Sequence, residues 1–108
     1  MLNQTVLVGR LVRDPELYET ESGNKVTNIT LAVPRSYKNS NGEYDTDYIN
    51  CVLWKGIAES ASEYCHKGDL LGIKGRIQTR VIDLDDETRK NITEVVAEKV
   101  TYLSSKKD

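Results

Sequence analysis

The amino-acid sequence predicts an all-β domain, a small five-stranded barrel that carries one short helix. Segments rich in β-branched residues recur with alternating apolar and polar side chains, turn signals separate them, and one stretch has helical periodicity instead. At 108 residues the chain has room for a single domain with one modest core. We expect residues 1–104 to form that domain and residues 105–108 to be a short C-terminal tail.

The first two predicted strands run from Thr5 to Val12 and from Val26 to Val33. Both end near a proline, Pro15 or Pro34, which cannot donate a hydrogen bond to a strand ladder. The stretch from Arg35 to Asp45 is dense in Ser, Asn and Gly, which is typical of a long hairpin loop. These features predict two strands followed by an irregular connection.

The next segments alternate between strand and helix. The third predicted strand runs from Thr46 to Lys55, and the helix from Ile57 to Lys67, where apolar residues recur at helical spacing before Gly68. The fourth predicted strand runs from Leu70 to Val81.

An acidic turn, Asp83 to Asn91, separates the fourth strand from the fifth, Ile92 to Leu103. The element order is therefore β-β-β-α-β-β. This is the order of the OB-fold, a five-stranded Greek-key barrel that often binds oligonucleotides.

Composition excludes several classes of function. Cys51 and Cys65 are too few for a disulfide-stapled secreted domain, and the N-terminus lacks a signal-peptide pattern, so we expect a cytoplasmic protein with free thiols. No window approaches the roughly 20 apolar residues of a membrane span. His66 is the only histidine, and no nucleotide-binding motif or acid–base pair occurs. We expect no enzyme activity, no cofactor and no metal.

The third strand has two contrasting faces. Ile49, Cys51 and Leu53 supply one face for the core, whereas Tyr48 and Trp54 lie on the opposite face. The two aromatic rings fit either a surface that binds a ligand or a second buried surface, such as an interface between subunits. Strand three alone leaves both interpretations open.

The fourth strand favours the ligand-binding interpretation. Its outward face carries Lys74, Arg76 and Arg80, which an apolar interface would not tolerate unpaired. Aromatic rings beside cations suit single-stranded nucleic acid, because bases stack on the rings for about 1–3 kcal/mol each while cations meet phosphates. Although the net charge is −2, four of the acids fall between Asp83 and Glu87. A basic groove is therefore compatible with the composition.

Ten residues form the predicted nucleic-acid site. The ring of Tyr37, in the predicted loop, either adds to the stacking surface formed by Tyr48 and Trp54 or packs within that loop. The candidate stacking residues are Tyr37, Tyr48 and Trp54, and the candidate phosphate contacts are Arg10, Arg13, Arg35, Lys55, Lys74, Arg76 and Arg80.

Four stretches of sequence carry a resemblance to a known family. They are LNQTVLVGRLVRDPEL, NITLAV, DYINCVLWKGIAESASEYCHKGDLLGIKGRIQTR and TEVVAEKV. In this order they resemble the first strand and turn, the second strand, the third strand with helix and fourth strand, and the fifth strand of the bacterial single-stranded DNA-binding protein family. The resemblance covers residues 1–103.

The resemblance implies an OB-fold subunit that assembles as a homotetramer and wraps single-stranded DNA with little sequence preference. Such proteins act in replication, repair and recombination, at the nucleoid in the cytoplasm, together with other replication or recombination proteins. Tyr37, Tyr48 and Trp54 match the family's stacking aromatics, and Arg80 matches a basic position at the end of the fourth strand.

The chain departs from the family pattern in two places. Ile82 stands where the family usually has a further aromatic, and the sequence stops at Asp108 without the long linker and phenylalanine-ended tail of replicative members. We therefore expect an accessory, phage-borne or plasmid-borne paralogue, including the type used in DNA uptake. Two alternatives remain: an OB-fold subunit that binds protein in a primosome-type or recombination-type assembly, and an RNA-binding chaperone.

Overall fold

Seven elements make up the fold of the computed structural model, which describes residues 1–105. They are β1 (Thr5–Leu11), β2 (Tyr18–Glu19), β3 (Lys25–Lys38), β4 (Tyr44–Trp54), α1 (Lys55–Tyr64), β5 (Leu70–Asp83) and β6 (Arg89–Ser104). Of the predicted tail, residues 106–108 lie outside the described part of the chain.

The five long strands close into a barrel, and this confirms the predicted OB-fold. The sheet runs β1-β5-β6-β4-β3, and pairing of β3 with β1 at Arg10–Ala32 and Leu11–Leu31 closes it. Only the β4–β6 pairing is parallel among the described strands. The short strand β2 adds to the outer edge of β3 and was not predicted.

The core fills the barrel from alternate positions of the strands. Its largest fully buried side chains include Leu11, Leu31, Leu53 and Ile73. Helix α1 covers one end of the barrel through Ala58 and Ala61, which are small enough to let it sit directly on the strands. Both cysteines are free and buried, and desolvation raises the pKa of the Cys51 thiol to about 12. The thiols therefore serve as packing groups.

The connection between β3 and β4 is a hairpin, as predicted, but the strands extend into it from both sides, so the predicted loop from Arg35 to Asp45 is too long. Strand β3 continues through Pro34, which pairs with Thr46 at the edge of an irregularity in the ladder. A proline fits there because a bulge leaves one position without a ladder bond. The turn lies at residues 39–43, where Asn39 Oδ1 accepts hydrogen bonds from the backbone N–H groups of Asn41 and Glu43.

Strands β5 and β6 also extend further than predicted. Strand β6 stays in the barrel at Val95 and Val96, which pair with β4, and residues 78–83 of β5 and 89–94 of β6 continue beyond them as an arm, called here the β5–β6 arm. Ile77, which alternation assigned to the core face, is 47 % exposed at the base of this arm. The arm pairs continuously to Asp83 opposite Arg89, so the acidic turn contains only residues 84–88.

Helix α1 starts and ends earlier than predicted. Its predicted stop, Gly68, lies in the following turn with φ of 91°. The helix ends at Tyr64 because the Asp69 carboxylate accepts the His66 backbone N–H at 2.8 Å, which ties the chain into that turn. No helix within residues 1–105 has the length and apolarity needed to cross a membrane.

Candidate nucleic-acid interface

The outward face of β3 and β4 carries the predicted aromatic residues. Strand register places Val26 opposite Trp54, and Ala32 opposite Tyr48. Tyr48 is 66 % exposed and Trp54 is 38 % exposed, so both rings point away from the core. Within residues 1–105, neither ring is part of a second buried surface of the kind considered from the sequence.

A cavity of about 300 Å³ opens beside Trp54. Val26 and Val52 form its apolar floor and, with Val96, make a small buried cluster on the outer side of the sheet. Tyr18 stands on its rim. The cavity thus offers an apolar floor and two aromatic rings, and surfaces of this kind bind unpaired nucleobases by stacking.

Tyr18 is a candidate site residue that the sequence did not reveal. It pairs with Val26, which in turn pairs with Trp54, so the two rings lie in one row across three strands. The Asn28 side-chain amide donates a hydrogen bond to the Tyr18 hydroxyl and fixes the ring. A usable signal was the hairpin turn at Ser22-Gly23-Asn24, which brings Tyr18 alongside the next strand.

Arg80 lines the same cavity and forms an ion pair with Glu94 there. Its Nε donates to Glu94 Oε1 at 2.8 Å, and Gln78 Nε2 donates to the same oxygen at 2.9 Å. Glu94 is only 6 % exposed, whereas the Arg80 side chain is 49 % exposed. The buried carboxylate therefore anchors Arg80 while part of its guanidinium faces solvent and a ligand.

Tyr48 borders a second cavity, of about 250 Å³, which Asn50 and Ile77 also line. Glu94 lines both cavities and joins them along the face. Arg10 stands opposite Ala32, which stands opposite Tyr48, so Arg10 lies two strands from Tyr48 in the same row. The aromatic face from Tyr18 to Tyr48 is therefore continuous.

Five of the predicted cations keep their charge available. Lys55, Lys74 and Arg76 are exposed, and within residues 1–105 they make no ion pair or hydrogen bond through their side chains. Arg10 and Arg13 donate only to neutral oxygens, at 2.9 and 3.3 Å. Each of these groups can neutralise a phosphate without first breaking an ion pair.

Arg35 differs from the other cations because two carboxylates already hold it. Its guanidinium donates to both oxygens of Asp47, at 3.0 to 3.3 Å, and lies 3.7 Å from Asp45. The hydrogen bonds raise the pKa of Arg35 and lower that of Asp47. We assign Arg35 to stabilising the outer part of the β3–β4 hairpin, residues 34–47, called here the β3–β4 arm.

Tyr37 lies on the same arm, apart from the two cavities. Its ring is 63 % exposed, which does not fit packing within a loop. Nearby, Lys38 Nζ lies 5.8 Å from the centroid of the Tyr44 ring. Tyr44 and Trp54 stand at opposite ends of β4, about 33 Å apart at the usual strand rise. A bound DNA strand would therefore reach Tyr37 only after it has left the face that carries Tyr48 and Trp54.

The tip of the β5–β6 arm is acidic. Asp85 accepts the amides of Glu87 and Thr88 at 2.9 and 2.6 Å, and these bonds lower the pKa of its carboxyl. Ile82, where a further aromatic was expected, lies half-buried just before this turn. Carboxylates that stay charged repel phosphate, so a bound strand should avoid this tip.

Among residues 1–105 the structure contains no group of three or more side chains suited to hold a metal ion.

Comparison with known proteins shows the family. Residues 2–103 match the model of the single-strand binding protein family. The chain is 47 % identical over 106 residues to single-stranded DNA-binding protein B of Bacillus subtilis, covering 98 % of this chain and 94 % of that protein. These names describe binding proteins, which confirms the expectation of a non-enzymatic function.

Two longer relatives are similarly close. The single-stranded DNA-binding protein of Halalkalibacterium halodurans is 52 % identical over 95 % of this chain and 61 % of its own length. That of Lactiplantibacillus plantarum is 48 % identical over 98 % of this chain, which spans about half, 53 %, of that protein. These matches confirm the resemblance found in the sequence, and the chain belongs to the single-strand binding protein family.

Proposed function

We propose that this chain binds single-stranded DNA with little sequence requirement and keeps it unpaired. The observation that carries the proposal is the cavity enclosed by Tyr18, Trp54 and Arg80, which places two stacking rings beside a cation. The printed names of the relatives, single-stranded DNA-binding proteins, support the same ligand. Stacking tolerates any base because every base has a π-face.

The proposed path of the strand follows the aromatic face. Bases stack on Trp54, Tyr18 and Tyr48, and Tyr37 receives the strand where it reaches the arm. The proposed phosphate contacts are Arg10, Arg13, Lys55, Lys74, Arg76 and Arg80. Such a protein would serve replication, repair, recombination or DNA uptake at the nucleoid in the cytoplasm, alongside other proteins of those processes.

Salt dependence tests the phosphate contacts. Single strands give a slope of log K against log salt of about −0.7 per neutralised phosphate, so the six proposed contacts give about −4. The measurement is the anisotropy of a labelled dT oligomer titrated at several salt concentrations.

A charge variant localises those contacts. We expect K74Q/R76Q to make the slope shallower by about 1.4, because two phosphates lose their partners. R89Q is the control, since Arg89 lies at the acidic turn and already pairs with Asp83 at 3.3 Å. Binding that does not change with salt, or equal slopes in all three proteins, contradicts the proposal.

We also propose that the chain assembles as a homotetramer, with β1 in one of its interfaces. Strand β1 pairs with β5 on one edge, but in the described chain its other edge pairs only at Arg10 and Leu11. Val6 and Val8 beside that edge are 71 % and 48 % exposed. An uncharged open edge with exposed β-branched residues suits pairing with a second copy.

Light scattering tests this assembly. The wild-type protein should have four times the chain mass of 12.2 kDa. V6K should reduce that mass, because Val6 pairs with Lys74 and a second ammonium beside it has no partner at the interface of two copies. The control V81K changes another exposed valine, on the β5–β6 arm, and should leave the mass unchanged. A monomeric wild-type protein would refute the assembly without affecting DNA binding by a single chain.

A further inference from the structure

The cavity beside Trp54 is a slot between two aromatic residues. Tyr18 and Trp54 lie two strand spacings apart in the same row, about 9.5 Å between their backbones. A flat ring in contact with both aromatic faces needs about 7–8 Å between them, from carbon contacts of 3.5–4.0 Å on each side. The backbone spacing is therefore wide enough for one base between the two residues, above Val26.

The polar lining of this slot consists of Thr20, Asn28, Gln78, Arg80 and Glu94, of which Glu94 is the one carboxylate. Both hydrogen bonds to Glu94 end on Oε1, and within residues 1–105 none reaches Oε2. The side chain is 6 % exposed and lines both the slot and the cavity beside Tyr48, so a partner reaches Oε2 through one of these two openings. An ionised carboxylate oxygen can accept a hydrogen bond but cannot donate one.

We propose that Glu94 makes this slot selective for bases that carry an amino group. This inference rests on the proposed function, because a bound strand must first deliver the base. Cytosine, adenine and guanine carry amino groups that can donate to Glu94 Oε2. Thymine and uracil place a carbonyl oxygen where cytosine has its amine, and that oxygen faces the carboxylate unfavourably.

The two oxygens of Glu94 thus have separate roles. Oε1 holds Arg80 and Gln78, which orients the wall of the slot. Oε2 meets the base. If Glu94 acted only as an anchor for Arg80, its replacement would change affinity equally for every base. A dependence on base identity separates the two roles.

The test compares oligo-dC with oligo-dU of equal length, because neither carries a methyl group and the bases differ at the amine. Wild-type protein, E94Q and E98Q are titrated by anisotropy at pH 8 with the same salt. Gln at position 94 keeps an oxygen for Arg80 but can place an N–H toward the base. E98Q removes one charge from an exposed position of the same strand, and so controls for the change in net charge.

We expect wild-type protein and E98Q to share one ratio of dC to dU affinity. In E94Q this ratio should fall by about fivefold, the effect of one hydrogen bond gained or lost at a base edge. Because each ratio is compared between variants, differences in flexibility between the two oligomers cancel. An equal ratio in E94Q and E98Q overturns the inference while leaving DNA binding intact. Failure of the wild-type protein to bind either oligomer overturns the proposed function instead.

A measurement on the unaltered protein covers the case in which E94Q does not fold. Oligo-dC is compared with an oligomer of 2-pyrimidinone, which is cytosine without its amino group. Wild-type protein should bind the 2-pyrimidinone strand about fivefold more weakly. Equal affinity for the two strands would overturn the inference, because no donor would then be recognised.

Discussion

Replacing Trp54 by alanine should weaken binding of a short dT oligomer by about fivefold to 150-fold. The indole stands between the cavity and solvent, 38 % exposed, and one base–aromatic stack is worth about 1–3 kcal/mol. The measurement is the anisotropy of a labelled oligomer, since this variant has no tryptophan of its own. The W54F variant keeps an aromatic face and should recover most of the affinity.

Two further observations make this result decisive. The thermal unfolding of the W54A variant should remain cooperative, because Trp54 lies at the outer end of β4 and contributes no side chain to the main core. The Y44A variant serves as a matched control, because Tyr44 is an exposed aromatic on the distant arm. Unchanged affinity in a folded W54A protein would contradict stacking at this position.

Replacing Gly75 by alanine should destabilise the fold by about 3 kcal/mol or more. A Cβ at this position would lie 2.1 Å from the Val96 carbonyl oxygen and 3.0 Å from its carbon. Both atoms belong to the backbone of β6, so relief requires the strand itself to move. The site adjoins the irregularity in the β5–β6 ladder between Lys74 and Gly75, where Gly75 pairs with Ala97.

Gly56 supplies the matched control for that substitution. It lies in α1, and a Cβ added there meets no atom within 4 Å. Alanine in a helix is favoured over glycine by about 0.5–1 kcal/mol, so G56A should be slightly more stable than the wild-type protein. Urea unfolding measures both variants. A G75A protein within 1 kcal/mol of wild type would show that β5 and β6 do not approach this closely.

The strand pattern was predictable where one face is buried. Leu31, Leu53 and Ile73 alternate with polar residues, so their strands and inward faces followed directly from the sequence. The two arms were not predictable in this way, because both of their faces are exposed and alternation loses its meaning. The arm of β3 and β4 is held by cross-strand pairs such as Arg35 with Asp47.

The candidate site was predictable only in part. Tyr48 and Trp54 followed from alternation within one strand, and the structure places both on the outward face. Tyr18 and Glu94 did not, because their importance comes from register between strands that lie far apart in sequence. Glu94 carries a local signal, because it is a single acid within the strand run Ile92–Ala97. The neighbouring strand carries the cations Lys74, Arg76 and Arg80. A search among them for the ion-pair partner of this acid could have indicated Arg80.

The most direct test of the central proposal uses the fluorescence of the wild-type protein. The chain contains one tryptophan, so its emission reports on Trp54 alone. Titration with oligo-dT at low salt should quench this emission as the labelled strand binds, and added salt should restore it. If anisotropy shows that the strand binds while the emission of Trp54 stays unchanged, the DNA does not lie on the proposed aromatic face.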